Sequence, residues 1–233
     1  MHRIRAISFD LDDTLWEIEP VILRAERMLR QRIEAEFPKA AERFDRKALA
    51  RLRQRVVVDN PHLSHDLTEL RRLCYEGMLQ QSGYHAHHSH ALMEQFFELR
   101  HELEFFPEVE SGLERLSARF RLFAVSNGNA DLERLPISRY FEGQISARTA
   151  GVGKPDTRIF AMACEAMALA PAEVLHIGDH PHDDIRGALN AGLKAAWLNR
   201  RAESWDESFE PHIVCEDLCQ FANILEQRHA QPA

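Results

Sequence analysis

Four short segments of this 233-residue chain hold side chains whose types and spacing can do chemistry. The first is Asp10-Leu11-Asp12-Asp13-Thr14, where Asp10 and Asp12 stand two apart and share one side of an extended backbone. Three acids in four residues repel one another and call for a cation or a proton, although such a trio after a strand also serves as a capping turn. The second segment, Ser126-Asn127-Gly128-Asn129, offers a hydroxyl and a turn whose backbone N–H groups can hold an oxyanion. Third comes Gly151-Val152-Gly153-Lys154-Pro155, an isolated lysine between glycine and proline, with Pro155 opening the next helical stretch. The fourth, Gly178-Asp179-His180-Pro181-His182-Asp183-Asp184, returns to carboxylates.

The elements that must position these segments follow from hydrophobic periodicity. Residues 3–9 read as a strand ending at Asp10. Glu19-Pro20 then marks a helix start, and residues 21–37 place Ile22, Ala25, Leu29 and Ile33 at helical spacing with Met28 beside them. Further helices are predicted over 46–58, 66–81 and 90–104, separated by Pro61, Ser82-Gly83 and Phe106-Pro107. After Pro107 the pattern changes. A helix over 109–120 precedes a strand at 122–125, and further strands are predicted at 173–177, 195–198 and 213–215. Short apolar strands alternating with helices imply a parallel sheet covered on both faces. The first strand is too isolated to form a core of its own and must join the later sheet. The expected fold is therefore α/β: a Rossmann-like core of residues 1–16 and 106–233, interrupted by an all-helical insertion at 17–105. In such sheets ligands bind beyond the carboxyl ends of the strands, where all four segments fall.

Composition narrows the function. With 45% hydrophobic and 28% charged residues the chain has a globular balance. No apolar run approaches the ~20 residues of a bilayer span, and Met1-His2-Arg3-Ile4-Arg5 leads into no signal segment, so no membrane partner is expected. A net charge of -8 disfavours nucleic acid as a partner. Cys74, Cys164, Cys215 and Cys219 fit no metal-knuckle spacing and read as reduced thiols of a cytoplasmic protein; Cys215 and Cys219 are read as core thiols four apart on one helix. Charge is uneven: residues 20–58 hold 11 basic against 5 acidic side chains, whereas the rest holds 18 against 32. Two readings of that surplus stand, solvated faces of amphipathic helices or a basic lid over an anionic substrate. The histidines at 85, 87, 88 and 90 read as a solvated loop rather than a metal site.

In their order, Asp10/Asp12/Thr14, then Ser126, then Lys154, then Gly178-Asp179 with Asp184, the four segments resemble the motifs of the haloacid dehalogenase superfamily in its phosphatase branch. The resemblance covers the whole chain, since the helical insertion matches that family's cap domain. It implies a Mg2+ ion held by Asp10 and Asp179 with the Asp12 backbone carbonyl, hard oxygen ligands that suit the ion. Asp10 is then the nucleophile that forms an aspartyl-phosphate, and Asp12 the general acid and base. Ser126, the Asn127 backbone and Lys154 would hold phosphoryl oxygens. Asp184 is better placed to orient Lys154 or a metal-bound water than to ligate, and Asp183 competes for that role. Because a halide leaves without a proton, Asp12 favours phosphate transfer over dehalogenation. His180 departs from the Ser, Thr or Asp of many relatives, either as a rim substitution or as a further metal ligand.

The segment at 10–26, the Ser-Asn-Gly-Asn turn and the tail at 204–212 further resemble bacterial flavin-pathway phosphatases, which act on FMN and on the ribitylaminopyrimidine phosphate of riboflavin synthesis. The implied substrate is a small phosphate ester. Nucleotides, sugar phosphates and phosphoglycolate are alternatives, as are a phosphomutase or a non-catalytic phospho-ligand sensor on the same core. Trp16, in the flap after the nucleophile, can stack on a planar ring or pack at the hinge. Arg24 and Arg27 can reach a polar substrate or face solvent.

Overall fold

A computed structural model describes residues 4–230. Six strands form one sheet: β1 (Ala6–Phe9), β2 (Arg121–Ser126), β3 (Gln144–Ser146), β4 (Val174–Gly178), β5 (Lys194–Leu198) and β6 (Ile213–Cys215). Their order is β3-β2-β1-β4-β5-β6 and every pairing is parallel. β1 and β4 are buried at every position, since both faces are covered and no polar alternation is needed. At the edge, β6 alternates instead, with Val214 out between Ile213 and Cys215. β1 pairs with β2 on one side and β4 on the other, with Phe9 opposite Ala124 and Ile177. The chain builds outward to one side of β1 and then crosses to the other, so a crevice opens at the carboxyl end of β1.

The described chain divides into two compact units, one running to Glu17 and resuming at Glu104, the other Ile18–Leu103. The second contains only helices: α1 (Ile18–Glu36), α2 (Pro38–Arg43), α3 (Arg46–Asp59), α4 (Leu67–Gln81) and α5 (His88–His101), with a short turn of helix at Pro61–Leu63. Its core gathers Ala25, Leu29 and Ile33 of α1 with Met78 and Leu79 of α4 and Phe96 of α5. In the sheet unit, α6 (Val109–Ser117), α7 (Ala147–Ala150), α8 (Thr157–Ala166), α9 (Gly187–Asn190) and α10 (Leu218–Ala230) flank the strands. No described helix is long and apolar enough to cross a membrane.

Several elements differ from the sequence reading. The first strand starts at Ala6, and Arg3 lies outside the described residues. α1 begins at Ile18, so Pro20 lies within its first turn, where its missing N–H is not needed. Met28 is off the buried stripe at 38% exposure. α2 and the three-residue edge strand β3 were not expected; both are too short to show a period. α5 and α6 stop three residues early, at His101 and Ser117. Pro155 does not open a helix, because α8 starts at Thr157 with Asp156 accepting from the Arg158 N–H. Cys215 ends β6 while Cys219 sits in α10, so the two thiols do not share a helix.

The basic surplus of the insertion has a structural use that neither reading anticipated. Arg30 donates to the carbonyls of Phe44 (2.7 Å) and Ala41 (2.9 Å), and Arg32 to that of Ala91 (3.1 Å). Arg43 donates to the Gln81 carbonyl at the end of α4. The carbonyls of Ala41, Phe44 and Gln81, at the ends of α2 and α4, are thus satisfied by guanidinium groups, whereas that of Ala91 lies inside α5 and takes Arg32 as an additional donor.

Candidate active site

Each motif follows a strand end in the sheet unit. Asp10 comes directly after β1, and its N–H donates to the Ile177 carbonyl of β4 (2.9 Å). The chain then folds into a tight loop anchored by the fully buried Leu11 and Leu15, with the Leu15 N–H on the Leu11 carbonyl (2.8 Å). Asp13 takes a left-handed φ of 60°, which an aspartate tolerates better than most residues. The loop brings the Thr14 hydroxyl to 3.1 Å from Asp10 Oδ2 and 3.4 Å from Asp179 Oδ1.

Lys154 reaches into this centre from the loop after β3 and is itself buried. Its Nζ donates to Asp10 and, at 2.5 Å, to Asp184 Oδ1. Asp184 also meets His176 Nε2 (3.1 Å) and accepts the His180 N–H (3.0 Å). His176 in turn meets the Ser8 hydroxyl at 2.9 Å, completing a buried polar chain beneath the site. Gly178 is required here, since a Cβ would collide with the Asp184 carboxyl group. Asp183 lies outside this chain, half-buried, 3.5 Å from His182 and accepting from Asn127 Nδ2 (3.4 Å).

The turn after β2 also performs a task that its sequence did not suggest. The Gly128 N–H is taken up by the Ser126 hydroxyl (2.9 Å). The Asn127 side chain clamps the backbone of Lys154, accepting its N–H (2.6 Å) and donating to its carbonyl (2.9 Å). Asp12 faces this turn so closely that a Cβ on Gly128 would collide with its carboxylate.

Neither Trp16 nor Arg24 is placed to touch a substrate: Trp16 takes its packing alternative, and Arg24 takes neither of its two. Trp16 is fully buried, packs edge-on against Phe105 and donates its indole N–H to Asp12 Oδ1 (2.8 Å), so its ring cannot stack on a substrate. Arg24 donates to the carbonyls of Leu99 (2.9 Å) and Glu102, so its guanidinium closes the end of α5. His180 caps the turn it begins, with Nδ1 accepting the Asp183 N–H (3.1 Å).

Asp10, Asp179 and Asp184 each bring a carboxylate oxygen within 4.8 Å of the others. One ammonium, that of Lys154, faces all three. The crowded charge shifts the proton affinities of the acids. Burial, with Asp184 and Asp179 adding to it, raises Asp10 well above the usual carboxylate range against the pull of Lys154. Burial and the charges of Asp184 and Asp13 push Asp179 up to about 6. Asp184 would also be raised by burial, but Lys154 and His176 hold it well below the ordinary range. Burial disfavours the Lys154 charge, yet Asp10 and Asp184 keep its pKa above that of a free lysine. A divalent cation on oxygen ligands is the simplest neutraliser of this set. The carboxylate of Asp12 stands apart from the three, tied to Trp16.

Residues 4–192 match the family model of haloacid dehalogenase-like hydrolases. The chain belongs to this family. Haloacid dehalogenase-like relatives extend over nearly its whole length. The 5-amino-6-(5-phospho-D-ribitylamino)uracil phosphatase YigB of Escherichia coli K12 is 32% identical, over 96% of this chain and 97% of that protein. The phosphoserine phosphatase of Thermus thermophilus is 29% identical over 92% and 96%. A crystal structure of a 2-haloacid dehalogenase from Pseudomonas syringae pv. tomato DC3000 is 35% identical, with a TM-score of 0.91 over 97% of this chain and 99% of that one. The protein is thus a hydrolase whose relatives include phosphoric monoester hydrolases.

Two residues in the site were missed from sequence. His176 is a lone polar residue in the apolar run Val-Leu-His-Ile-Gly, a signal that was available. Arg200, just beyond β5, donates to the Thr14 carbonyl and had no local pattern to mark it.

Proposed function

We propose that the protein is a Mg2+-dependent phosphatase that hydrolyses a small phosphate monoester through an aspartyl-phosphate on Asp10. The observation that carries this reading is the contrast between two carboxylates two residues apart. Asp10 lies within the Lys154–Asp179–Asp184 cluster, whereas Asp12 lies outside it against the Ser126–Gly128 turn. Different environments suit different roles, one nucleophile and one proton carrier.

In the first step an Asp10 oxygen attacks phosphorus, and the bond to the ester oxygen breaks as that oxygen takes a proton from Asp12. In the second, Asp12 takes a proton from water, whose oxygen attacks phosphorus and releases Asp10 and inorganic phosphate. Ser126 and Lys154 hold the phosphoryl oxygens as their charge shifts. Mg2+ held by Asp10 and Asp179 would supply the positive charge that lets a phosphate dianion approach an aspartate. Asp184, through its bond to Lys154, keeps the ammonium aimed at Asp10. We assign the chemistry to the sheet unit, substrate choice to the helical unit, and a cytoplasmic location to the enzyme.

The substrate we propose is 5-amino-6-(5-phospho-D-ribitylamino)uracil or FMN, supported by the full-length similarity to the E. coli YigB phosphatase. Phosphate release should be measured across these two esters, nucleotides, sugar phosphates and phosphoglycolate, with and without EDTA. The flavin-pathway esters should give the highest kcat/KM, lost with EDTA and in Asp10→Asn; undiminished turnover by that variant would sink the mechanism. The P. syringae similarity favours a second reading, dehalogenation of a 2-haloacid. It predicts EDTA-insensitive halide release from 2-chloropropionate, and the presence of Asp12 argues for none.

A further inference from the structure

Arg200 follows β5 and is largely buried, its side chain 14% exposed, yet it forms no hydrogen bond with the carboxylates of the Asp10 cluster. Its Nε and Nη2 both donate to one acceptor, the carbonyl of Thr14, at 3.1 and 2.9 Å. Nη2 also pairs with Glu108 at 2.7 Å, and the guanidinium lies 3.9 Å from the Phe106 ring centroid. A planar group held by a carbonyl, a carboxylate and an aromatic face has one orientation available, something a lysine cannot reproduce. The clamped residue is the one whose hydroxyl lies within reach of both Asp10 and Asp179. It also follows the left-handed Asp13, so the loop depends on outside contacts to keep its shape. The Phe106 N–H on the Leu15 carbonyl (3.0 Å) ties the same loop to the same returning segment.

We propose that Arg200 is a positioning residue: by gripping the Thr14 carbonyl it sets the Thr14 hydroxyl between Asp10 and Asp179 and so fixes their spacing for a divalent cation. The kinetic part rests on the phosphatase reading; the cation-binding part rests on the geometry alone. A mere surface staple would act through its charge pair with Glu108, and substitutions separate the two roles. Arg200→Lys keeps the charge but loses the two-donor grip and the stacking. Glu108→Gln removes the charge pair and leaves the grip.

Mg2+ affinity measured by titration calorimetry should weaken about 10-fold in Arg200→Lys and at least as much in Arg200→Ala, the scale typical of groups that orient metal ligands. The kcat for phosphate release should fall by a similar factor while KM changes little. Glu108→Gln should change Mg2+ affinity by less than about threefold, since the amide oxygen still accepts from Nη2 and the grip on the Thr14 carbonyl stays. Wild-type Mg2+ affinity in Arg200→Lys overturns the proposal, as does an equal loss in Glu108→Gln or a wild-type protein that binds no Mg2+. If Arg200→Ala does not fold, Arg200→Lys decides the outcome alone. A wild-type protein that binds Mg2+ but releases no phosphate from any ester refutes the phosphatase reading, and the calorimetry still tests Arg200.

Discussion

In the helical unit Arg30 ends on two carbonyl oxygens and on Glu34 (2.7 Å); in the sheet unit Lys154 ends on two buried aspartates with a third nearby. Both units carry an uneven charge, but they resolve it differently. Arg24, Arg30 and Arg43 of the helical unit close helix ends, so their charge acts on the fold. The carboxylates of the sheet unit outnumber the one lysine they surround, and that imbalance persists because the strand ends force the groups together. A charge surplus that the fold satisfies is architecture, and one that it leaves unsatisfied marks a candidate site.

This contrast can be broken at several points. The largest effect is expected at Asp10. Asp10→Asn should lower phosphate release by about 10⁴-fold or more, since an amide is no nucleophile here. The same variant should unfold at a higher temperature in EDTA than the wild type, because it removes one excess negative charge; a lower Tm would mean that the cluster is not strained.

Lys154→Met comes next. It strips the two buried carboxylates Asp10 and Asp184 of their ammonium and should cost about 3–5 kcal/mol in urea unfolding without Mg2+. A loss below about 1 kcal/mol would show that the carboxylates are already neutral.

Asp179 sharpens the comparison through pH. Its folded pKa is pushed up to about 6 from 3.8, so the folded protein holds that proton more tightly than the unfolded chain. Without a cation, the contribution of Asp179 to stability is greatest below the unfolded value and declines as pH rises from about 4 through 6, by about 2–3 kcal/mol. A bound cation opposes that loss. Mg2+ should therefore raise Tm more at pH 8 than at pH 5, which calorimetry can check; an equal shift at both would place the ion elsewhere.

The smallest effect is expected in the helical unit. Arg30→Ala removes hydrogen bonds to two carbonyls and should destabilise by about 1–2 kcal/mol, with kcat changed less than about threefold. A large loss of kcat without a loss of stability would put the basic surplus in the chemistry instead.

Much of this was legible along the chain. Strands with long apolar runs, such as β2 and β4, announced themselves, as did the chemistry at their ends, because a motif and the strand preceding it are local. β3, with Gln-Ile-Ser, carries no period and forms because β2 offers it an edge. Trp16 and Arg24 were left with alternative readings for a related reason. A large aromatic or a long cation looks the same in sequence whether it meets a ligand or the protein. Trp16 found Phe105, across the whole insertion, and Arg24 found the end of α5.

Side-chain type and local spacing were enough to place carboxylates, a hydroxyl and an ammonium at the ends of parallel strands. Which of those acids would confront one another was settled only when Phe9 came into register with Ile177 and the loop after β3 carried Lys154 in to Asp10 and Asp184. Segment spacing is a local property of the backbone. The electrostatics of the site depend on distances of a few ångströms between Asp10 and residues more than a hundred positions away, and those distances exist only in the packed sheet.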